Sequence, residues 1–137
     1  MVSEYRLRRR VLFYEADPAG IVHFSWFFRY MEEAEHALWR AAGMSIAPLG
    51  QAGWARVAAA FDFKAPLRFE DECDIAVAIA EVSRRKVRYA FTFTHGDRVI
   101  GSGTMTTVPV NKAADGTLSA CDVPPDTLEQ LRQAAGS

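Results

Sequence analysis

A carboxylate and the start of a helix meet in segment 14–24, which has the sequence YEADPAGIVHF. Asp17 supplies a group that can act as a base or as a nucleophile. The backbone N–H groups near His23 and Phe24, at the beginning of a predicted helix, supply donors for a developing oxyanion. The segment therefore combines two catalytic parts. Turn chemistry alone favours the simpler interpretation, in which Asp17 only closes a β-turn before Pro18.

Other polar side chains have competing interpretations. His23 can orient water or donate to a substrate, because a free imidazole has a pKa of about 6.5. It can equally cap the helix start or pack at a subunit interface. Ser25 fits an N-cap better than a catalytic hydroxyl, since no Gly-x-Ser-x-Gly sequence is present. His36 and His95 have no partner spacing typical of a metal site, so both are interpreted as surface or interface residues.

The elements that must position this segment follow from the spacing of apolar residues. Residues 5–14 end in β-branched and aromatic residues and predict a strand, and the turn around Asp17 follows it. Apolar residues then recur at helical spacing and predict a helix over 25–42 that ends at Gly43. Phe28, Tyr30 and Trp39 make this helix apolar on more than one face, which is typical of a helix wrapped by a sheet.

From residue 54 onward the apolar period becomes two, which predicts a series of antiparallel strands. Residues 95–98 form the tight connection between the last two of them. A short helix is predicted at 126–133, after Pro124 and Pro125. The predicted strands are 54–63, 73–82, 85–95 and 98–110.

Composition limits the possible classes of protein. The 137 residues are 50% hydrophobic and carry a formal charge of −1, which predicts one domain over 1–137 and no electrostatic attraction to nucleic acid. No apolar run reaches the roughly 20 residues that span a bilayer, and no signal sequence is recognisable, so a cytoplasmic location is expected. Cys73 and Cys121 lack the spacing of a zinc site or disulfide framework, and we expect no metal.

The order of elements predicts an α+β fold in which a curled antiparallel sheet of about five strands wraps around one long central helix. Such a sheet leaves open edges and exposed apolar area. Pairing with another copy of the chain would cover them, so we expect at least a homodimer.

Two adjoining stretches carry a family resemblance. Residues 17–22, DPAGIV, and the aromatic-rich helix start at 24–31, FSWFFRYM, resemble the signature of the 4-hydroxybenzoyl-CoA thioesterase family, whose members have the hot-dog fold. The resemblance covers residues 5–110, where the elements follow the order of that fold. It implies an acyl-CoA thioester hydrolase that acts on an aromatic 4-hydroxybenzoyl-type or short-chain acyl group. It also implies a homodimer or homotetramer with no metal or redox cofactor.

The resemblance assigns roles to individual residues. Asp17 matches the motif aspartate, which either attacks the thioester carbonyl or activates water. The backbone N–H of Phe24 matches the group that polarises that carbonyl. Family members often have Tyr or His at positions 23 and 24, so the side chain of Phe24 departs from the pattern, whereas His23 keeps it. Glu32 and Glu33 lie where other hot-dog thioesterases place a carboxylate, but with Asp17 present we favour solvated or interface roles for them.

The resemblance also implies sites for coenzyme A and for the acyl group. A cluster of cations between two predicted strands matches the position of CoA phosphate contacts and consists of Arg84, Arg85, Lys86 and Arg88. The same cluster fits a solvated run that protects a sheet edge. Arg6, Arg8, Arg9 and Arg10 form a second run, for which a solvated or interfacial role is favoured. Trp26, Phe27 and Phe63 are predicted to line the acyl site, although aromatic residues at helical spacing are more often core.

A thioesterase is therefore the main hypothesis, with two alternatives. A non-catalytic hot-dog protein that binds acyl-CoA or lipid would use Asp17 structurally. A hot-dog dehydratase or hydratase would use His23 with an acid, although its paired His and acid motif is not recognisable here. The sequence Gly101-Ser102-Gly103 in the last predicted strand indicates that another group approaches the backbone closely, or that the strand has a bulge. The approaching group would be the pantetheine arm of a substrate.

Overall fold

The computed structural model describes residues 4–46 and 53–136. A short 3₁₀ turn at Phe13–Glu15 follows the first strand. The strands and helices are β1 (Tyr5–Arg10), α1 (Ser25–Ala41), β2 (Trp54–Phe63), β3 (Glu72–Ser83), β4 (Lys86–His95), β5 (Arg98–Lys112), β6 (Leu118–Ala120) and α2 (Pro125–Gly136).

The strands form one antiparallel sheet in the order β1-β3-β4-β5-β2, and the short β6 pairs with the end of β5. The prediction of an α+β fold with a curled sheet around a long helix is confirmed. Its five long strands are the five predicted, and β6 was not foreseen. The connection between β4 and β5 is the predicted tight turn, where Gly96 has a φ of +62°.

The core lies between α1 and one face of the sheet. Along α1, Phe27, Met31 and Leu38 are fully or almost fully buried. They meet the inward face of β3 and β4, whose period-two pattern places Tyr89 and Phe93 on that same face. The helix stops where predicted, because Gly43 takes a φ of +80° and its N–H donates to the Arg40 carbonyl at 3.0 Å.

The first strand is shorter than predicted. β1 ends at Arg10, whereas the expectation was a strand over 5–14. The Val11 N–H donates to the Asp71 carbonyl at 2.9 Å, and the chain then turns, with the Glu15 N–H donating to the Leu12 carbonyl at 3.0 Å. The apolar residues that suggested a strand therefore continue into a 3₁₀ turn that leads directly to the Asp17 segment.

The strand β2 forms one edge of the sheet. It pairs with β5 alone, and its opposite edge has no strand partner within the described ranges. The middle of this edge is exposed, with Val57 59% accessible and Ala58, Ala59 and Ala60 also exposed. This is the kind of open apolar edge that the sequence predicted.

The chain closes with a helix longer than predicted. α2 extends over Pro125–Gly136, beyond the expected 126–133. Its Leu131 and Ala135 side chains are buried and join the core. Neither this helix nor α1 is long and apolar enough to cross a membrane, and the same holds for every helix in the described part of the chain.

Candidate active site

The turn that carries Asp17 is a small hairpin. The Asp17 N–H donates to the Ile21 carbonyl at 2.8 Å, and the His23 N–H donates to the Glu15 carbonyl at 2.9 Å. The reversal occurs at Gly20, whose φ of +82° favours glycine. The hairpin places Asp17 on one strand and the start of α1 directly after the other.

The Asp17 carboxylate is free to react. It is half-buried, and its Oδ1 accepts a hydrogen bond from the Ala19 N–H at 2.8 Å. No cation of residues 4–46 or 53–136 forms an ion pair with it. Because only one lone pair of the carboxylate is used by the turn, it can still accept a proton or attack an electrophile.

The start of α1 presents an unused backbone donor. The residue before the helix is Phe24, and its N–H has no acceptor in the described part of the chain. The N–H groups of Trp26 and Phe27 turn back to the carbonyls of His23 and Phe24, at 3.0 and 3.3 Å. The prediction of Ser25 as an N-cap is wrong, because Ser25 is already the first helical residue and the N-cap position is occupied by Phe24.

His23 has a defined hydrogen-bonding state. Its Nδ1 accepts the Ser25 N–H at 3.3 Å and lies 2.8 Å from the Ser25 hydroxyl. A backbone N–H can only donate, so this geometry favours an unprotonated Nδ1 and places the ring proton on Nε2. His23 therefore offers a donor from an exposed ring that packs against Phe24, with 4.6 Å between ring centroids.

An aromatic cluster lies beside this end of α1. Phe27 is buried, and its ring lies 4.9 Å from Phe61 and 5.4 Å from Phe63, which is 51% exposed. Trp26 is partly buried and packs edge-on against Tyr14 at 5.5 Å. The structure thus brings the three predicted acyl-site residues to the same end of α1, where Phe63 alone is largely exposed.

The glycines of β5 leave space for the Phe61 ring of this cluster. A Cβ at Gly101 would lie 2.5 Å from the Asp62 carbonyl and 2.5 Å from the Phe61 ring, and one at Gly103 would lie 2.7 Å from Met31 and from Phe61. The close approach that the sequence predicted therefore includes side chains of the protein itself.

The cationic cluster lies at the other end of the molecule. β4 begins at Lys86, near the end of α1, where the Trp39 Nε1 donates to the Tyr89 hydroxyl at 3.1 Å. Phe93, further along β4, packs against Phe27, with 5.8 Å between the ring centroids. Phe27 and Trp39 are about 18 Å apart along the helix. One chain therefore does not bring Asp17 and the cluster together.

The members of the cluster are exposed and paired with acids. Arg84 and Arg85 reach Asp122, at 3.4 and 3.2 Å. Lys86 and Arg88 reach Glu81, at 3.6 and 2.5 Å.

The sequence profile of the thioesterase-like superfamily matches residues 11–131 of the chain. The match includes the Asp17 hairpin, α1 and the strands β2 to β5. The chain belongs to this superfamily.

Relatives of this thioesterase-like protein agree with that assignment. An inferred esterase of Aquifex aeolicus (strain VF5) is 38% identical over 90 residues, which are 64% of this chain and 67% of that protein. The solved gentisyl-coenzyme A thioesterase is 30% identical, with a TM-score of 0.82 over 91% of this chain and 99% of the other.

A mutant of 4-hydroxybenzoyl CoA thioesterase, complexed with 4-hydroxybenzoyl CoA, is 20% identical, with a TM-score of 0.85 over 94% and 99% of the two chains. At that identity the likeness concerns the fold, which is the expected hot-dog fold. The expectation of a thioester hydrolase is confirmed at the level of enzyme class.

Sequence reasoning missed a buried ion pair behind the Asp17 hairpin. Glu15 is fully buried, and its carboxylate binds the guanidinium of Arg9, at 2.5 and 2.6 Å. The prediction that Arg9 is solvated is wrong, because its side chain is only 15% exposed. Arg6, Arg8 and Arg10 are exposed, as one alternative predicted.

A second buried carboxylate was also missed. Glu35 lies on the inward face of α1, where its Oε1 binds Arg56 of β2, and its Oε2 has no hydrogen-bond partner among the described residues. Burial raises the pKa of Glu35 to about 7, against the opposing charge of Arg56. The one feature of the sequence that could have indicated this burial is the position of Glu35 on the apolar face of the predicted helix.

The donor groups of a metal site do not converge in the described ranges. No three side chains among their His, Cys, Asp and Glu residues form an arrangement that could hold a metal ion. Cys73 and Cys121 are both free thiols.

Proposed function

We propose that this protein hydrolyses an acyl-CoA thioester with an aromatic, 4-hydroxybenzoyl-type or short-chain acyl group, and that Asp17 supplies the reacting carboxylate. One observation carries the proposal. The Asp17 carboxylate, without a cationic partner in the described ranges, shares one hairpin with a Phe24 N–H that has no acceptor there. Thioester hydrolysis needs these two groups, a base or nucleophile and an oxyanion donor.

In the direct route, Asp17 accepts a proton from water as the water oxygen bonds to the thioester carbonyl carbon. The carbonyl oxygen becomes an oxyanion, which the Phe24 N–H and the positive end of α1 stabilise. The intermediate then re-forms the C=O bond and breaks the C–S bond. Coenzyme A leaves as a thiolate and takes up a proton, and the acyl group leaves as the free acid.

In the covalent route, an Asp17 oxygen bonds to the same carbonyl carbon and displaces the CoA thiolate. The product is a mixed anhydride, which water hydrolyses to the free acid and the original carboxylate. The Phe24 N–H has the same role in both routes. His23 can assist either one by donating from Nε2, or it can serve only to cap the start of α1 through Ser25.

The aromatic acyl group is supported by the side chains around this end of α1. Phe27, Phe61 and Phe63 form a cluster whose rings can accept a flat aromatic group by edge or face contact. The relative that is 30% identical is a thioesterase for an aromatic ester, gentisyl-coenzyme A. The solved mutant complexed with 4-hydroxybenzoyl CoA carries an aspartate-to-asparagine substitution, which is consistent with a reacting aspartate in that enzyme.

The coenzyme A end of the substrate is assigned to a second copy of the chain. Within one chain, Arg84, Arg85, Lys86 and Arg88 lie at the end of α1 opposite to Asp17 and pair with Asp122 and Glu81. A homodimer or homotetramer that covers the free edge of β2 can bring the cations of one copy to the Asp17 of another. We place the reaction in the cytoplasm and assign it no metal or redox cofactor.

The test is thiol release from aromatic, short-chain and long-chain acyl-CoA esters by the wild type, by Asp17→Asn and by Asp62→Asn. Asp62 is an exposed aspartate on β2 and provides the matched control. We expect Asp17→Asn to lower kcat by about 100-fold or more, because it loses the base or nucleophile but keeps the hairpin. Asp62→Asn should keep wild-type turnover.

Three results would contradict the proposal. Undiminished turnover by Asp17→Asn would remove this carboxylate from the mechanism. If the wild type released no thiol from any ester, while CoA esters still raised its Tm, the protein would be an acyl-CoA binding protein. Loss of a double bond with the thioester intact would identify a hydratase.

A further inference from the structure

The buried carboxylate of Glu15 connects the Asp17 hairpin, β1 and α1. We propose that Glu15 is a positioning residue of the thioesterase site, which fixes the Asp17 carboxylate relative to the Phe24 N–H through Arg9 and Tyr30. This inference rests on the proposed function of Asp17 and Phe24. It assigns a role to residues that do not touch the substrate.

Every donor around the Glu15 carboxylate comes from a different part of the fold. Its Oε1 accepts from the Tyr30 hydroxyl of α1 at 2.8 Å and from the Leu12 N–H, before the hairpin, at 2.8 Å. The guanidinium of Arg9, on β1, binds both carboxylate oxygens. Four hydrogen bonds satisfy a side chain that is fully buried. The carboxylate therefore connects one strand, one turn and one helix at a single point.

The backbone of the same residue forms the base of the hairpin. The Glu15 carbonyl accepts the His23 N–H at 2.9 Å. Two residues further along the chain, the Asp17 N–H donates to the Ile21 carbonyl at 2.8 Å. Phe24 follows His23 directly. A displacement of Glu15 would therefore move Asp17 through one arm of the hairpin and the Phe24 N–H through the other.

Arg9 is held in place by two carboxylates and an aromatic ring. Its guanidinium binds Glu15 and also Glu33, at 2.9 and 3.1 Å, and lies 4.5 Å from the centre of the Tyr30 ring. Burial would raise the pKa of Glu15, but the hydrogen bonds from Arg9, Leu12 and Tyr30 outweigh it and lower that pKa. The Glu15 carboxylate and the Arg9 guanidinium are therefore both ionised at neutral pH.

A positioning role and a purely structural role predict different kinetics. A small displacement of the base relative to the oxyanion donor lowers kcat, because the barrier depends on the alignment of the reacting groups. The KM for the CoA ester should change little, since contacts to coenzyme A act on the ground and transition states alike and do not depend on that alignment. A purely structural residue would lower the Tm and the folded fraction, with kcat per folded molecule unchanged.

The experiment compares Tyr30→Phe and Glu15→Gln with Glu33→Gln, each at a temperature where circular dichroism shows the variant to be folded. Tyr30→Phe removes one donor to Glu15 and keeps the ring beneath Arg9. Glu33→Gln alters a carboxylate of the same network that is 41% exposed and has no bond to the hairpin. We expect kcat to fall about tenfold or more in the first two variants and to stay within about twofold in the third.

Hydrogen exchange of the His23 amide provides a readout that does not depend on activity. Its N–H donates to the Glu15 carbonyl, so we expect faster exchange in Tyr30→Phe and Glu15→Gln than in Glu33→Gln. If Glu15→Gln fails to fold, Tyr30→Phe alone decides the test. The inference is overturned if Glu15→Gln and Tyr30→Phe, where folded, both have the wild-type kcat.

The two proposals fail in distinguishable ways. If the wild type releases no thiol, or if Asp17→Asn keeps full turnover, the proposed function is wrong. Unchanged His23 exchange in Tyr30→Phe would then show that Glu15 does not hold the hairpin either. If Asp17→Asn is inactive and Tyr30→Phe has wild-type kcat, only the positioning role is wrong.

Discussion

The two buried glutamates occupy opposite electrostatic environments. Glu15 receives four hydrogen bonds, two of them from Arg9, and its pKa is lowered although burial acts to raise it. Glu35 has one oxygen without a partner in the described part of the chain, and burial raises its pKa to about 7. The number of donors around each carboxylate therefore decides which form is stable, as expected for groups removed from water.

Glu35 should make stability depend on pH. Its pKa rises from 4.5 to about 7 on folding, so its contribution is fully present below pH 4.5 and is lost as the pH rises through 7. Glu35→Gln mimics the protonated acid and should avoid this loss. We expect the variant to gain up to about 3 kcal/mol of unfolding free energy relative to the wild type between pH 5 and pH 8, measured by urea denaturation.

Glu32→Gln is the matched control for this prediction. Glu32 lies on the same helix, 3.8 Å from Arg56, but its side chain is 45% exposed. Its stability difference from the wild type should not change between the two pH values. An equal pH response in both variants would show that the response comes from the loss of a charge near Arg56 and not from burial.

At the scale of elements, β5 allows β2 and α1 to pack closely. Gly101 and Gly103 face the Phe61 ring, and Gly103 also faces Met31 of α1. The register pairs Phe61 with Gly103 and Phe63 with Gly101, so large side chains on one strand lie opposite residues without a side chain on the other. This complementarity holds the aromatic cluster against the start of α1.

Gly101→Ala should destabilise the fold. Its Cβ would lie 2.5 Å from the backbone oxygen of Asp62, which cannot move unless β2 shifts. We expect a loss of about 1–3 kcal/mol of unfolding free energy, the usual cost of overpacking, measured by urea denaturation. Ser102→Ala is the control, because Ser102 points to the opposite face of the same strand. Equal stability of the two variants would contradict the packing argument.

At the scale of the whole molecule, one chain separates the two parts of the proposed CoA ester site. Asp17 and Phe24 lie at the start of α1, whereas Arg84 and Arg85 lie beyond its end and pair with Asp122. The free edge of β2 and the exposed rings of Phe24 and Phe63 are the apolar surfaces that a second copy would cover. Our proposal therefore assigns the activity to an assembly of two or more copies.

Mixing a variant without turnover and a variant with a raised KM tests this arrangement. Asp17→Asn should lack turnover, and the double variant Arg84→Ala, Arg85→Ala should raise KM more than it lowers kcat, since phosphate contacts act on ground and transition states alike. If each site takes Asp17 from one copy and the arginines from another, co-refolding equal amounts should restore about a quarter of the wild-type sites. Thiol release at low substrate concentration measures the recovery.

No recovery would show that each site takes both parts from one chain, or that the arginines bind no substrate. An equal KM increase with a thioester that lacks coenzyme A would indicate a structural role for the arginines. A stable monomer of about 15.2 kDa in sedimentation would contradict the assembly itself.

The sequence by itself determined the order of elements and pointed to the central residues of the candidate site. Apolar periods of 3.6 and two specify a helix and strands, and they located α1 and the long strands to within a few residues, because burial on one face requires that spacing. Asp17 and the helix start at Phe24 were also visible, since they are close in sequence and linked by one local turn.

Only the tertiary structure decided which charges are buried and which groups meet. Arg9 and Glu15 lie in a segment whose charged residues are typical of a protein surface, yet α1 covers them with Tyr30. Glu35 is buried because β2 and β4 pack over it. Likewise, the sequence did not indicate that Arg84 and Asp17 lie at opposite ends of the fold. Burial and long-range distance depend on how elements pack, and a local pattern of residue types does not contain that information.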